Sequence, residues 1–197
     1  MVPAKRIAKT KAFLYHIQMP VNKKCVFFDR DGIVNESPGP EKYVLSWKTF
    51  RLLPEFPECL RVAQRHGYEA AIVTNQRAVA LGLLRADQVE AIHQRLRELL
   101  EREHRLSFLD IVYCPHNTGE CSCRKPEPGM LLAIAARHAI DLSRSWMVGD
   151  AETDVAAGRR AGCRTIRVGA TSEASQADYC VANLQALPAR LDSLLNE

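Results

Sequence analysis

The sequence predicts an α/β fold in which a parallel sheet is covered by helices on both faces. Three observations predict it. Short apolar runs alternate with stretches of helical periodicity along the 197-residue chain. The runs are continuously apolar, as in strands buried on both sides. The residues able to do chemistry follow the runs directly, beyond the carboxyl ends of the strands, where such sheets bind ligands. The length suits one domain with a sizeable core. The sequence holds no internal repeat and no low-complexity segment.

The elements are predicted in order. Cys25 to Phe28 is a short buried strand. Pro54 to His66 is a helix with Phe56, Leu60 and Ala63 on one side, ended by Gly67. Tyr68 to Val73 is a second strand. Ala86 to His104 is a long helix carrying Val89, Ile92, Leu96, Leu99 and Leu100 on one stripe. Leu109 to Tyr113 is the third strand and Gly129 to His138 a helix. Trp146 to Val148 is the fourth strand, with a helix around Val155 to Ala161 after it. Arg164 to Val168 is the fifth strand, Asp178 to Val181 a short sixth, and Leu184 to Leu195 a closing helix.

At the ends of these strands stand Asp29, Thr74 with Asn75, a Cys/His loop running into Arg124 and Lys125, and Gly149 with Asp150. All fall on one edge of the sheet, which argues for a single site.

The loop is the most specific motif. Cys114, His116, Cys121 and Cys123 place three thiols and one imidazole within ten residues. That set closes a tetrahedral Zn²⁺ site with no open position, so the metal is expected to be structural. Arg124 and Lys125 follow at once, held at a fixed place, and fixed cations suit an anionic substrate. Seven cysteines do not pair evenly. Cys25, Cys59, Cys163 and Cys180 lie in apolar runs and read as reduced core residues, which fits a cytoplasmic protein.

Asp29 and Asp31 in D-R-D-G are two apart at a strand end, so both can face one side. Carboxylates that close repel unless a cation lies between them. With Asp150 as a third oxygen source, the hard donors suit Mg²⁺. Asp29 can then attack phosphorus to form an aspartyl-phosphate, and Asp31 can act as general acid and base. Thr74 and Lys125 can bind phosphoryl oxygens.

The order of D-R-D-G at 29–32, T-N-Q at 74–76, C-P-H…C-x-C-R-K-P-x-P-G-M at 114–130 and V-G-D at 148–150 resembles the haloacid dehalogenase superfamily of phosphatases. It is most similar to the D-glycero-D-manno-heptose 1,7-bisphosphate and histidinol-phosphate phosphatase group, over roughly Lys24 to Leu195. The aspartate motifs are shared across the superfamily, whereas the metal loop marks this group. The resemblance implies a Rossmann-like parallel sheet and a small phosphorylated metabolite as substrate, first of all heptose 1,7-bisphosphate losing its 7-phosphate. It implies Asp29 as nucleophile and Asp31 as acid/base. Asp29, Asp150 and the Asp31 carbonyl would hold Mg²⁺, and Cys114, His116, Cys121 and Cys123 would hold Zn²⁺. Thr74 and Lys125 would stabilise the phosphoryl group. Asn75, Gln76, Arg77 and Arg124 are the expected substrate contacts. The intervals between motifs leave no room for a separate cap domain, so the loop Val34 to Trp47 and the zinc loop would shape an open site.

The chain departs from the group at several points. Arg77-Ala78 stand where Ser-Gly is usual, Ile33 where Thr is usual, and Ala151 where Lys is common. Arg77 adds a cation and Ala151 removes one. Asp154 has two readings, a support for the metal site or a first-turn carboxylate favoured by the helix dipole. His66, His93, His104 and His138 are expected on helix surfaces. Trp47 and Trp146 are expected to pack in the core or flap.

Composition is that of a soluble globular protein, 47% hydrophobic and 25% charged. No apolar run nears the roughly 18 residues of a membrane span. The net charge is +4, of which the first 24 residues supply +6, leaving −2 for the rest. The chain thus reads as a basic arm, 1–23, and a phosphatase domain, 24–197, that is no basic nucleic-acid binder. The arm lacks a clean secretory signal, since His16 and Gln18 interrupt its apolar stretch. A monomer is expected. A zinc-stapled binding module without catalysis is the rival reading, and the intact Asp29–Asp31–Thr74–Lys125–Asp150 set speaks against it.

Overall fold

In the computed structural model, residues 23–39, 43–169, 173 and 175–196 are described. The basic arm lies outside them, apart from its last residue, and so does part of the flap. Six parallel strands run in the order β3-β2-β1-β4-β5-β6. They are β1 (Lys24–Phe28), β2 (Tyr68–Asn75), β3 (Asp110–Cys114), β4 (Trp146–Gly149), β5 (Arg164–Val168) and β6 (Tyr179–Val181). Five α-helices join and cover them: α1 (Phe56–Arg65), α2 (Ala86–Leu99), α3 (Gly129–His138), α4 (Glu152–Ala161) and α5 (Leu187–Leu195).

The two-residue period of β1 decides which core each side chain joins. Val26 and Phe28 pack with α1, α2 and α5 through Leu60, Leu96 and Leu191. Cys25 and Phe27 pack on the other face with Met130, Leu131 and Ile134 of α3 and Ala157 of α4. Both faces are covered, which is why the strands read as unbroken apolar runs.

The expected elements are present, with shifted ends. β2 runs on to Asn75 because Thr74 and Asn75 pair with Tyr113 and Cys114 of β3. α2 ends at Leu99 and continues as a π turn, Leu100–His104, closed by Arg105 in the left-handed region (φ 55°). α4 begins at Glu152, earlier than its apolar pattern shows, because Asp154 caps the Ala151 N–H at 3.0 Å. Among the described residues no cap domain is inserted, and no helix is long and apolar enough to cross a membrane.

Cys25, Cys59 and Cys163 are buried core residues as expected. Cys180 is only half-buried, because β6 is an edge strand. His93 is a correction: it is buried, packed under Arg30. His66 and His138 are half-buried and pair with Asp192 and Asp110 at 2.8 and 2.9 Å. Trp146 is in the core, and Trp47 stacks on Phe50 with centroids 4.9 Å apart.

Candidate active site

β1 lies between β2 and β4, and the chain leaves it in opposite directions on its two sides. That switch point opens a crevice at the carboxyl edge. Asp29 leaves β1 there, its backbone N–H still donating to the Val148 carbonyl at 2.9 Å. Thr74 ends β2 on one side, and Asp150 follows β4 on the other.

Lys125 is the hub. Its Nζ lies 2.6 Å from Asp29 Oδ1, 2.7 Å from Asp154 Oδ1 and 3.0 Å from the Val73 carbonyl. The lysine is buried, and burial works against its charge. The Asp154 and Asp29 carboxylates outweigh that and hold its pKa above the usual lysine range. Asp29 is pushed up to about 8, chiefly by burial; Lys125 pulls it down, while Asp154 and Asp31 push it further up. Asp150 is also raised, again first by burial and then by Asp154. Carboxylate oxygens of Asp29, Asp150 and Asp154 lie within 4.8 Å of one another, and one ammonium cannot balance three of them. The cluster asks for a further cation.

The oxygens sort themselves by hydrogen bonding. Asp154 Oδ1 forms an ion pair with Lys125, and Oδ2 accepts a hydrogen bond from the Ala151 N–H. It is thus both the first-turn carboxylate and a support for the site, acting through the lysine. Asp29 Oδ1 accepts from Lys125 and from the Arg30 N–H at 2.7 Å, so Oδ2 is its open oxygen. Gly32 sits at φ +94°, and a Cβ there would collide with the Asp150 carboxylate. Glycine therefore brings Asp150 against the backbone that follows Asp31.

The Asp31 carboxylate does not join the cluster of three. It is held by Arg30 at 3.0 Å, Asn35 at 2.9 Å and Gln76 at 3.1 Å. Gln76 is buried, and its Nε2 also donates to Thr74 Oγ1 at 2.9 Å. The Thr74 hydroxyl hydrogen is therefore left for another acceptor.

Two of the expected substrate contacts are otherwise engaged. Asn75 clamps the backbone of Lys125, its Nδ2 donating to the carbonyl and its Oδ1 accepting from the N–H, both at 3.0 Å. Gln76 ties Asp31 to Thr74. Arg77 and Arg124 instead reach the metal loop: Arg77 Nε donates to Asn117 Oδ1 at 3.0 Å, and Arg124 Nη1 to the His116 carbonyl at 3.3 Å. Sequence reasoning missed Asn35, Arg30 and His93. An arginine between two aspartates was the only available signal.

The loop brings its four donors together. Cys114 Sγ lies 3.5 Å from both His116 Nδ1 and Cys121 Sγ, and Cys123 Sγ lies 3.4 Å from His116 Nδ1 and 3.2 Å from Cys121 Sγ. Metal bonds of about 2.3 Å to sulfur and about 2.0 Å to nitrogen put tetrahedral donors roughly 3.5–3.8 Å apart. The donors fit such an ion with a small expansion, and none of the cysteines is in a disulfide.

A doubly wound sheet with a carboxylate, an ammonium and a hydroxyl converging at its switch point defines a class, the hydrolases that take up a phosphoryl group on aspartate. The HAD-hydrolase-like family matches residues 122–187. D-glycero-beta-D-manno-heptose-1,7-bisphosphate 7-phosphatase of Pseudomonas aeruginosa is 35% identical over 149 residues, covering 75% of this chain and 82% of that protein. D-glycero-D-manno-heptose-1,7-bisphosphate 7-phosphatase of Thermosynechococcus vestitus is 36% identical over 186 residues, covering 83% and 93%. Among solved structures, D,D-heptose 1,7-bisphosphate phosphatase of B. bronchiseptica, complexed with magnesium and phosphate, superposes with a TM-score of 0.73 at 27% identity, covering 87% and 99%. The chain belongs to the haloacid dehalogenase-like hydrolases, in the group of D-glycero-D-manno-heptose-1,7-bisphosphate 7-phosphatases. It is a phosphoric monoester hydrolase.

Proposed function

We propose that this phosphatase removes the 7-phosphate of D-glycero-D-manno-heptose 1,7-bisphosphate through an aspartyl-phosphate on Asp29. The observation that carries the reading is the Asp29–Lys125 pair at 2.6 Å, with one Asp29 oxygen left open at the carboxyl edge of the sheet. The named relatives support the substrate. Asp29 attacks phosphorus in line with the leaving oxygen. Asp31 gives a proton to the departing alkoxide, then takes one from the water that attacks the aspartyl-phosphate and frees Asp29 and phosphate. The Thr74 hydroxyl and Lys125 ammonium donate to phosphoryl oxygens, where charge spreads in a loose transition state. Mg²⁺, held by Asp29, Asp150 and the Asp31 carbonyl, would neutralise phosphoryl charge and bring the two anions together.

Burial raises Asp29 to about 8 without metal, and Mg²⁺ needs the carboxylate. Mg²⁺ affinity should therefore rise with pH up to about 8 and level off above it. Calorimetric titration across that range, with proton release read from buffers of different ionisation heat, checks this.

Zn²⁺ is assigned to Cys114, His116, Cys121 and Cys123. Burial raises Cys121, but hydrogen bonds from the Cys123 thiol and the Cys123 and Arg124 amides outweigh it and bring the thiol to about 6, ready for metal. Because Arg124 hangs from the His116 carbonyl, removing the ion should disturb Arg124. Cys123→Ala should lower zinc content, melting temperature and turnover on the bisphosphate together. Metal analysis and calorimetry of protein purified without chelators measure it; native protein without zinc or iron would refute the assignment.

Arg124 is assigned to the part of the substrate that does not react. A planar guanidinium suits a second phosphate. Arg124→Ala should cut kcat/KM on heptose 1,7-bisphosphate by roughly 10-fold or more, and on an aryl phosphate far less. Equal proportional losses would place Arg124 in the common chemistry and remove its support for a bisphosphate substrate. Mg²⁺-dependent phosphate release over a panel of sugar phosphates and histidinol phosphate tests the reading as a whole.

A further inference from the structure

Arg30 stands between the nucleophile and the acid and has no part in the chemistry above. Its side chain is fully buried (0% exposed), so its charge has to be paired inside the protein. The guanidinium closes on one carboxylate. Nη2 donates to Oδ1 and Oδ2 of Asp31, both at 3.0 Å, and Nε donates to Oδ1 at 3.2 Å. The remaining Nη1 meets Nε2 of His93 on α2 at 3.3 Å, 63 residues away in sequence.

Arginine is always a donor, so His93 Nε2 has to accept and its hydrogen rests on Nδ1. Burial, with Arg30 and Arg97 nearby, pushes His93 down to about 3, which keeps the ring neutral and able to accept. The ring also meets Tyr113 of β3 edge-on, with centroids 5.7 Å apart. α2 and β3 thus brace the imidazole, the imidazole braces Arg30, and Arg30 braces Asp31.

The remaining contacts are uneven. Asp31 Oδ1 accepts from Arg30 Nε, Arg30 Nη2 and Asn35 Nδ2. Oδ2 accepts from Arg30 Nη2 and from Gln76 Nε2. Arg30 supplies three of these five contacts and grips both oxygens, so it fixes the plane of the carboxyl group. We propose that Arg30 and His93 are positioning residues that aim the Asp31 carboxyl at the oxygen of the leaving group. The proposal rests on Asp31 being the general acid.

The test uses the leaving group. A nitrophenolate departs without a proton, whereas the primary alkoxide of the heptose needs one. kcat/KM reports the steps through departure, so it isolates the acid. Wild type, Asp31→Asn, His93→Leu and His93→Gln are compared with Mg²⁺ present, on p-nitrophenyl phosphate and on heptose 1,7-bisphosphate. His93→Leu should lose roughly 10-fold or more on the bisphosphate and less than about threefold on the aryl ester, since misaiming a catalytic group costs rate only where that group works. His93→Gln offers an amide oxygen to Nη1 and should recover most of the loss. Equal losses on the two esters, or a folded His93→Gln as impaired as His93→Leu, would overturn the proposal. If His93→Leu does not fold, Arg30→Lys keeps the charge but loses the fork and should show the same selective loss; equal losses there overturn it too. Asp31→Asn separates the two failures. If it loses both esters equally, the acid assignment falls and the positioning falls with it. If it is selective and the Arg30 and His93 variants are not, only the positioning is wrong.

Discussion

Asp29→Asn should remain folded and lose phosphatase turnover by on the order of 10⁴-fold or more. The amide keeps the shape of the side chain but has no lone pair nucleophilic enough to attack phosphorus. Neither Asp154 nor Asp31 is free to replace it: Asp154 is held by Lys125 and the Ala151 N–H, and the Asp31 carboxylate by Arg30, Asn35 and Gln76. Folding should survive for a reason visible in the charge pattern. Burial already raises the native Asp29 carboxyl well above the usual carboxylate range, so its charge adds little to the stability of the metal-free fold. A group raised in the fold binds more protons there than in the unfolded chain between its ordinary value and about 8, so the metal-free protein tolerates a neutral side chain at this position. An unaltered melting temperature without Mg²⁺ and no acid-stable phosphorylated protein after rapid quench are the expected readings. Near-native turnover, with deamidation excluded by mass spectrometry, would sink the covalent mechanism.

Lys125→Met should damage both rate and stability. Its ammonium is the partner of Asp29 and Asp154 and also donates to the Val73 carbonyl. Methionine keeps the stem and removes the charge, leaving the buried Asp154 carboxylate with its backbone contact alone. Breaking a buried ion pair from one side costs about 3–5 kcal/mol. For a chain of this size that is a fall in melting temperature of roughly 10 °C. Turnover should fall a further ~10²–10³-fold, the usual cost of one charge-stabilising donor in the transition state. Mg²⁺ should return part of the stability, because it supplies positive charge to the same carboxylates, but not the rate. Calorimetry with and without Mg²⁺, beside steady-state kinetics, separates the two losses. A variant that loses rate with unchanged stability would show that Lys125 is not the counter-charge of Asp154.

Both results depend on long-range geometry, and that divides what the sequence by itself determined from what tertiary structure decided. The alternation of apolar runs and helical stripes determined the layers, because burial on two faces imposes continuous apolar strands. The placement of Asp29, Thr74, the Cys/His loop and Asp150 after those runs determined the edge of the sheet where they meet. The clustering of Cys114, His116, Cys121 and Cys123 was readable because the four are local, within ten residues. What the chain did not show is which polar groups spend themselves on one another. Asn75 and Gln76 are spaced like substrate contacts, but the order β3-β2-β1-β4 turns Asn75 onto the Lys125 backbone, 50 residues on, and Gln76 onto Asp31, 45 residues back. Asp154 read equally well as a cap or a support, and only the approach of Lys125 showed that its two oxygens do both. His93 sat on a helix that looked amphipathic, and its burial beneath Arg30 follows from α2 packing over the end of β1. Periodicity specifies which face a side chain is on; hydrogen-bond partners follow from which strands become neighbours, and that is a property of the assembled sheet.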